Sequence, residues 1–89
     1  MKKLIWTPHF IKSAEKFTRN FPESIELFKD KIRLIEESIY NPSLKTHKLQ
    51  GKLSGFYACS VSYSHRIVFQ LDDNENVILI NIGDHDDVY

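Results

Sequence analysis

Apolar side chains recur at Phe10, Ala14, Phe17 and Phe21, a 4-3-4 spacing that lines one face of a helix. Thr7-Pro8 predicts its start. The threonine serves as N-cap, and the proline takes the first helical position, where its missing N–H costs nothing. Asn20-Phe21-Pro22 interrupts the pattern, and Pro22-Glu23 opens a second helix with an acid in its first turn. The second stripe is Ile25, Phe28, Ile32, Ile35 and Ile39, set against a charged side of Glu26, Lys29, Asp30, Lys31, Arg33, Glu36 and Glu37. Asn41-Pro42 stops it. A helical hairpin with one apolar face must lie on something.

The pattern around the hairpin is that of strands. Lys3 to Trp6 predicts a short first strand, and residues 56–62, 64–71 and 76–82 predict three more. Asp72 to Glu75 is the polar turn between the last two. The turn at Tyr63-Ser64 has no glycine; as a two-residue loop it pairs Ser62 with His65 and Val61 with Arg66. Alternation then puts Tyr57, Cys59, Val61, Arg66, Val68 and Gln70 on one face, and Phe56, Ala58, Ile67, Phe69 and Leu71 on the other. The second set suits the helices. Arg66 is left on the open side, with His65 toward the helices. The expected fold is α+β, in the order β-α-α-β-β-β: a small antiparallel-rich sheet with a two-helix hairpin packed on one face.

At 89 residues the chain is expected to be one domain, residues 1–89. The longest apolar run, Val77 to Ile80, falls far short of the roughly 18 residues of a membrane span. The single cysteine, Cys59, excludes a disulfide framework, and no signal-peptide core follows the basic N-terminus. These features predict a cytoplasmic protein without a membrane partner.

A net charge of zero hides a split. Residues 1–53 hold 11 Lys+Arg against 6 Asp+Glu, while residues 54–89 hold Arg66 as their only Lys or Arg against 6 acids. Ser38 to Leu71 contains no acid at all, yet carries Lys45, Lys48, Lys52 and Arg66 with His47 and His65 interleaved. A local anion site needs such a window, because nearby carboxylates would cancel its field; ordinary surface charge accounts for it equally well.

Three clusters bear candidate chemistry. The loop Thr46 to Gly55 is basic and punctuated by glycine, but lacks the Gly-Lys-Ser/Thr ending of a phosphate-binding P-loop. His65-Arg66 places a guanidinium suited to bidentate phosphate contact in the middle strand. The third cluster is Gly83 to Tyr89, where acids flank His85 and favour an imidazolium able to donate a proton. A metal held by His85 with Asp84 or Asp86 lacks further ligands, so neither metal nor cofactor is expected. Cys59 reads as a packed mid-strand residue and His9 as a solvated one.

The ordered set His47-Lys48-Leu49-Gln50-Gly51, Gly55-Phe56-Tyr57, His65-Arg66-Ile67-Val68-Phe69, Ile80-Asn81-Ile82-Gly83-Asp84-His85 and Val88-Tyr89 resembles the RelE/ParE superfamily, the toxins of type II toxin–antitoxin systems. The likeness is greatest to its RelE, YoeB and YafQ branch. That resemblance implies an endoribonuclease (mRNA interferase) that cuts mRNA on the ribosome without a metal, by attack of the RNA 2′-OH. It implies His47, Arg66, His85 and Tyr89 as catalytic residues. Lys45, Lys48 and Lys52 form the basic flank for RNA phosphate. It also implies a cognate antitoxin, and the acid-free surface suits an acidic, partly disordered segment. The family's other sheet residues fall on Tyr57, Cys59, Ser60 and Ser64, which lack the expected charge. A ParE-like gyrase inhibitor or a catalytically weakened binding module therefore stand as the alternatives.

Overall fold

A computed structural model describes residues 3–84. The first strand, β1 (Leu4–Trp6), leads into α1 (Pro8–Asn20). As predicted, the Thr7 hydroxyl caps α1, accepting from the Phe10 N–H at 3.1 Å. Pro22–Ser24 forms one 3-10 turn rather than the start of the α-helix, and α2 runs Ile25–Glu37. Then come β2 (His47–Lys48), β3 (Tyr57–Ser60), β4 (His65–Leu71) and β5 (Val77–Asp84). The sheet order is β1-β5-β4-β3-β2; β1 runs parallel to β5 and every other pair is antiparallel. The predicted architecture holds, with one strand added: β2 lies inside the segment read as loop.

Both helices bury their apolar stripes against one side of the sheet. Phe10, Phe17, Phe28 and Ile35 meet Cys59, Val61, Ile67, Phe69, Val77, Leu79 and Ile82 in one core cluster. Ile39 is buried beyond the end of α2, whereas Ile25 and Ile32 are only half-buried. Phe21, expected on the buried stripe, is 36% exposed at the C-cap of α1.

The β3–β4 register differs from expectation by one residue. Ser60 pairs with Arg66, Cys59 with Ile67 and Tyr57 with Phe69; the Val61 N–H reaches the His65 carbonyl at 3.0 Å. The connection therefore spans Ser62–Ser64 rather than two residues. Because side chains alternate, a one-residue slip moves a whole strand to the other face. Tyr57, Cys59 and Val61 thus join the helix side, while Ala58 goes to the other. Burial is the reason: the observed register seals Cys59 and Val61 (0% and 1% exposed) against the helices together with Ile67 and Phe69. A bulge in β5 serves the same end. Val68 pairs with Asn81 and Phe69 with Leu79, so Ile80 is an extra residue. The bulge lets Leu79 and Ile82, three positions apart, both enter the core.

Candidate functional site

The basic loop before β3 is fixed by local hydrogen bonds. Asn41 Oδ1 accepts from the Ser43 N–H at 2.9 Å, Leu44 is fully buried, and the Thr46 hydroxyl donates to the Ile39 carbonyl. Lys45 then turns the chain in the left-handed region, with φ of 51°, into β2. Beyond β2 the Leu49 N–H donates to the Phe56 carbonyl at 2.9 Å. Gly51 and Gly55, with φ of 67° and 96°, supply the positive angles that close the intervening turn.

This anchoring puts His47 directly opposite Ala58, which is opposite Val68; Ser60 is opposite Arg66. Paired residues share a face. His47, Ala58, Val68, Ser60 and Arg66 therefore all lie on the side away from the helices, as expected for Arg66. Two strand spacings and two residues separate His47 from Arg66, about 12 Å between Cα atoms on ideal sheet geometry. Lys48 pairs with Tyr57, whose ring stacks on Phe69 at 5.4 Å, so Lys48 leaves the sheet on the opposite face. Lys45 and Lys52 flank β2 and are exposed.

The Nδ1 of His47 lies 3.2 Å from the Lys45 carbonyl. A carbonyl only accepts, so the bond requires the proton on Nδ1, and in the neutral ring Nε2 is then the basic nitrogen. Arg66 is not an isolated guanidinium. Its Nη1 donates to the carbonyls of Ser62, His65 and Tyr63 at 2.9, 3.0 and 3.3 Å, bracing the β3–β4 connection. That bracing role was not evident in the sequence, because it depends on the three-residue connection. The Nη2 and Nε edge makes no hydrogen bond among the described residues.

His65 faces the helices, its ring meeting Phe17 and Phe21 edge-on at 4.8 and 4.7 Å. Cys59 is buried, and desolvation raises its thiol pKa to about 12. It is a packing residue and no nucleophile. His85 and Tyr89 lie outside the described residues. Among the described residues no group of three His, Cys, Asp or Glu side chains is placed to hold a metal ion. None of their helices is long and apolar enough to cross a membrane.

The molecule is a five-stranded mixed sheet with a helical hairpin on one side and His47 and Arg66 on the other. The sequence profile of a bacterial toxin of type II toxin-antitoxin system, YafQ, matches residues 2–89, and the chain belongs to that family. Its fold is similar to that of a copper-bound toxin variant from Helicobacter pylori (TM-score 0.78, 25% identity, 100% of both chains). It is also similar to YafQ from E. coli (TM-score 0.81, 15% identity, 100% of this chain and 99% of that one). A third likeness is to the E. coli DinJ-YafQ toxin-antitoxin complex (TM-score 0.79, 17% identity, 99% of this chain and 97% of that one). Among curated proteins, none matches.

Proposed function

We propose that this toxin is a ribosome-dependent endoribonuclease that cuts mRNA by 2′-OH transesterification. The observation that carries the reading is that His47 and Arg66 share the face of the sheet away from the helices, inside a stretch of sequence without a carboxylate. His47 Nε2 takes the proton of the 2′-OH, and the freed oxygen attacks the adjacent phosphorus. The bond from phosphorus to the 5′-oxygen breaks, leaving a 2′,3′-cyclic phosphate on one fragment. His85 returns a proton to the departing 5′-oxygen, so that one proton is taken and one is given. Arg66 offers its Nη2 and Nε edge to the phosphate in a two-point contact, its plane held by the bonds from Nη1 to the loop. Tyr89 stacks on a base or orients the phosphate, while Lys45 and Lys52, which flank β2, draw the strand in; Lys48, on the helix side of the sheet, takes no part. The requirement for a 2′-OH makes RNA the substrate, and the translating ribosome places the protein in the cytoplasm.

The same basic face suits an acidic antitoxin segment that orders on binding; the E. coli YafQ solved with DinJ supports such a partner. Transcript cleavage in a translating extract tests the reading. Wild-type protein is expected to cut mRNA, with His47→Ala and Arg66→Lys each slowing cleavage by about 10²-fold or more. Intact transcripts alongside gyrase-dependent DNA breaks would replace it with the binding-poison alternative.

A further inference from the structure

On the other side of the sheet, α1 and the outer edge of β5 enclose a groove of about 620 Å³, a size typical of small-ligand sites. His65 lies in it, and because His65 and Arg66 are consecutive in β4, the groove and the open face are on opposite sides of the sheet. We propose that this groove binds a nucleotide unit, with phosphate on Lys12 and Lys16 and the base against Phe21 and His65.

Lys12 and Lys16 lie one turn apart on α1, both exposed and both on the groove. Like charges at this spacing repel. Nothing in the helix relieves them: Glu15, the sole acid of α1, makes no ion pair with either lysine, although α2 pairs Glu26 with Lys29 and Asp30 with Arg33. An anion seated across the two lysines removes that repulsion. Below them the wall is aromatic. Phe17 is buried at the floor, while Phe21 is 36% exposed and presents ring surface to the groove. His65 is held between them, its Nδ1 beside the hydroxyls of Ser64 and Ser62 at 3.1 and 3.4 Å. A held aromatic surface beside two cations matches the two halves of a nucleotide, a flat base and a phosphate.

The alternative occupant, an acidic peptide adding a strand to β5, fits less well. That mode needs unpaired backbone groups on the edge. Here β1 covers Val77–Leu79, the Thr7 hydroxyl donates to the Leu79 carbonyl at 2.7 Å, and Ser13 Oγ accepts from the Ile82 N–H at 3.2 Å. Much of the edge is already bonded by β1 and by hydroxyls at the start of α1.

The proposal does not rest on mRNA cleavage and is tested separately. Amide spectra of the isotope-labelled protein are titrated with AMP and with a hexauridylate RNA, beside fluorescence anisotropy of the labelled RNA. Shifts at Phe17, Phe21 and His65 are expected; if AMP alone produces them the ligand is a free nucleotide, and if only the RNA does it is a strand. Lys12→Gln/Lys16→Gln is expected to weaken binding at least five-fold at unchanged melting temperature, and Phe21→Ala, which also removes ring contacts to Phe17 and His65, to weaken it by a similar factor. The double variant should flatten the salt dependence of RNA binding by about 0.7 in log–log slope, one phosphate contact's worth. Shifts confined to the neighbours of His47 and Arg66, or a hexaglutamate peptide occupying the groove where neither AMP nor RNA does, would overturn it. Either result leaves the cleavage reading intact, since that reading is tested through His47 in the extract.

Discussion

Cys59 shows how far one side chain's neighbours change its chemistry. It faces the helix side of β3, and burial outweighs the favourable fields of Lys31 and Arg66, raising the thiol from 9.0 to about 12. The unfolded chain therefore loses the proton first as pH rises, so stability falls between about pH 9 and pH 12. The slope contributed by this one group approaches about 1.4 kcal/mol per pH unit within that window. Urea melts of wild type and Cys59→Ala across alkaline pH check this: the variant should show a shallower decline, and parallel curves would contradict the assignment. Arg66 is the second residue whose surroundings matter. Its Nη1 bonds to three carbonyls hold the β3–β4 connection in shape, so its alanine variant tests structure and activity together. Arg66→Lys, which keeps the charge, is the cleaner probe of phosphate contact.

Among the elements, α2 carries a stripe that is uneven in depth. Ile35 is fully buried, touching the centre of the core, while Ile32 packs at its margin. Ile35→Ala is expected to cost about 3–4 kcal/mol and Ile32→Ala about 1–2 kcal/mol, because the cavity penalty grows with how completely the site is enclosed. Chemical denaturation of the two variants checks the order; equal losses would mean that α2 is rotated from its described position. The β4–β5 hairpin is held by a different device. Asp72 Oδ1 accepts from the N–H groups of Asn74 and Asn76, both at 2.9 Å, and these bonds hold its carboxyl below the usual range. That contribution is present once the carboxyl is ionised and fades as pH falls through its lowered pKa.

For the molecule as a whole, the closing contact is between the chain's two ends. β1 runs parallel to β5 in the register Leu4 with Val77 through Trp6 with Leu79, and the ring of Trp6 meets Phe10 and Phe28 edge-on at 5.2 and 6.4 Å. β5 also lies at the centre of the contacts with α1 and β4, so losing its partner strand exposes the core as well as a sheet edge. A chain lacking residues 1–6 should lose its cooperative thermal transition and bind a hydrophobic dye. A sharp transition near the full-length melting temperature would show that β1 is dispensable. The uneven charge has a matching scale: both candidate binding surfaces draw on the cations of the first 53 residues, and the last 36 contribute Arg66, imidazoles and backbone.

The sequence by itself determined what is local: the Thr7-Pro8 helix start, the stripes through Phe17 and Ile35, the polar turn at Asp72, and the window without acids around His47 and Arg66. Each follows from the spacing or chemistry of residues a few positions apart. Only the tertiary structure decided the β3–β4 register, the bulge at Ile80, the bracing of loop carbonyls by Arg66 and the groove between α1 and β5. In β3 both alternating sets, Phe56 with Ala58 and Tyr57 with Cys59, are apolar enough to face a core, so periodicity could not choose between them. The choice falls to packing, because the register that buries Cys59, Val61, Ile67 and Phe69 together removes the most apolar surface from water, and that sum exists only once the helices are in place.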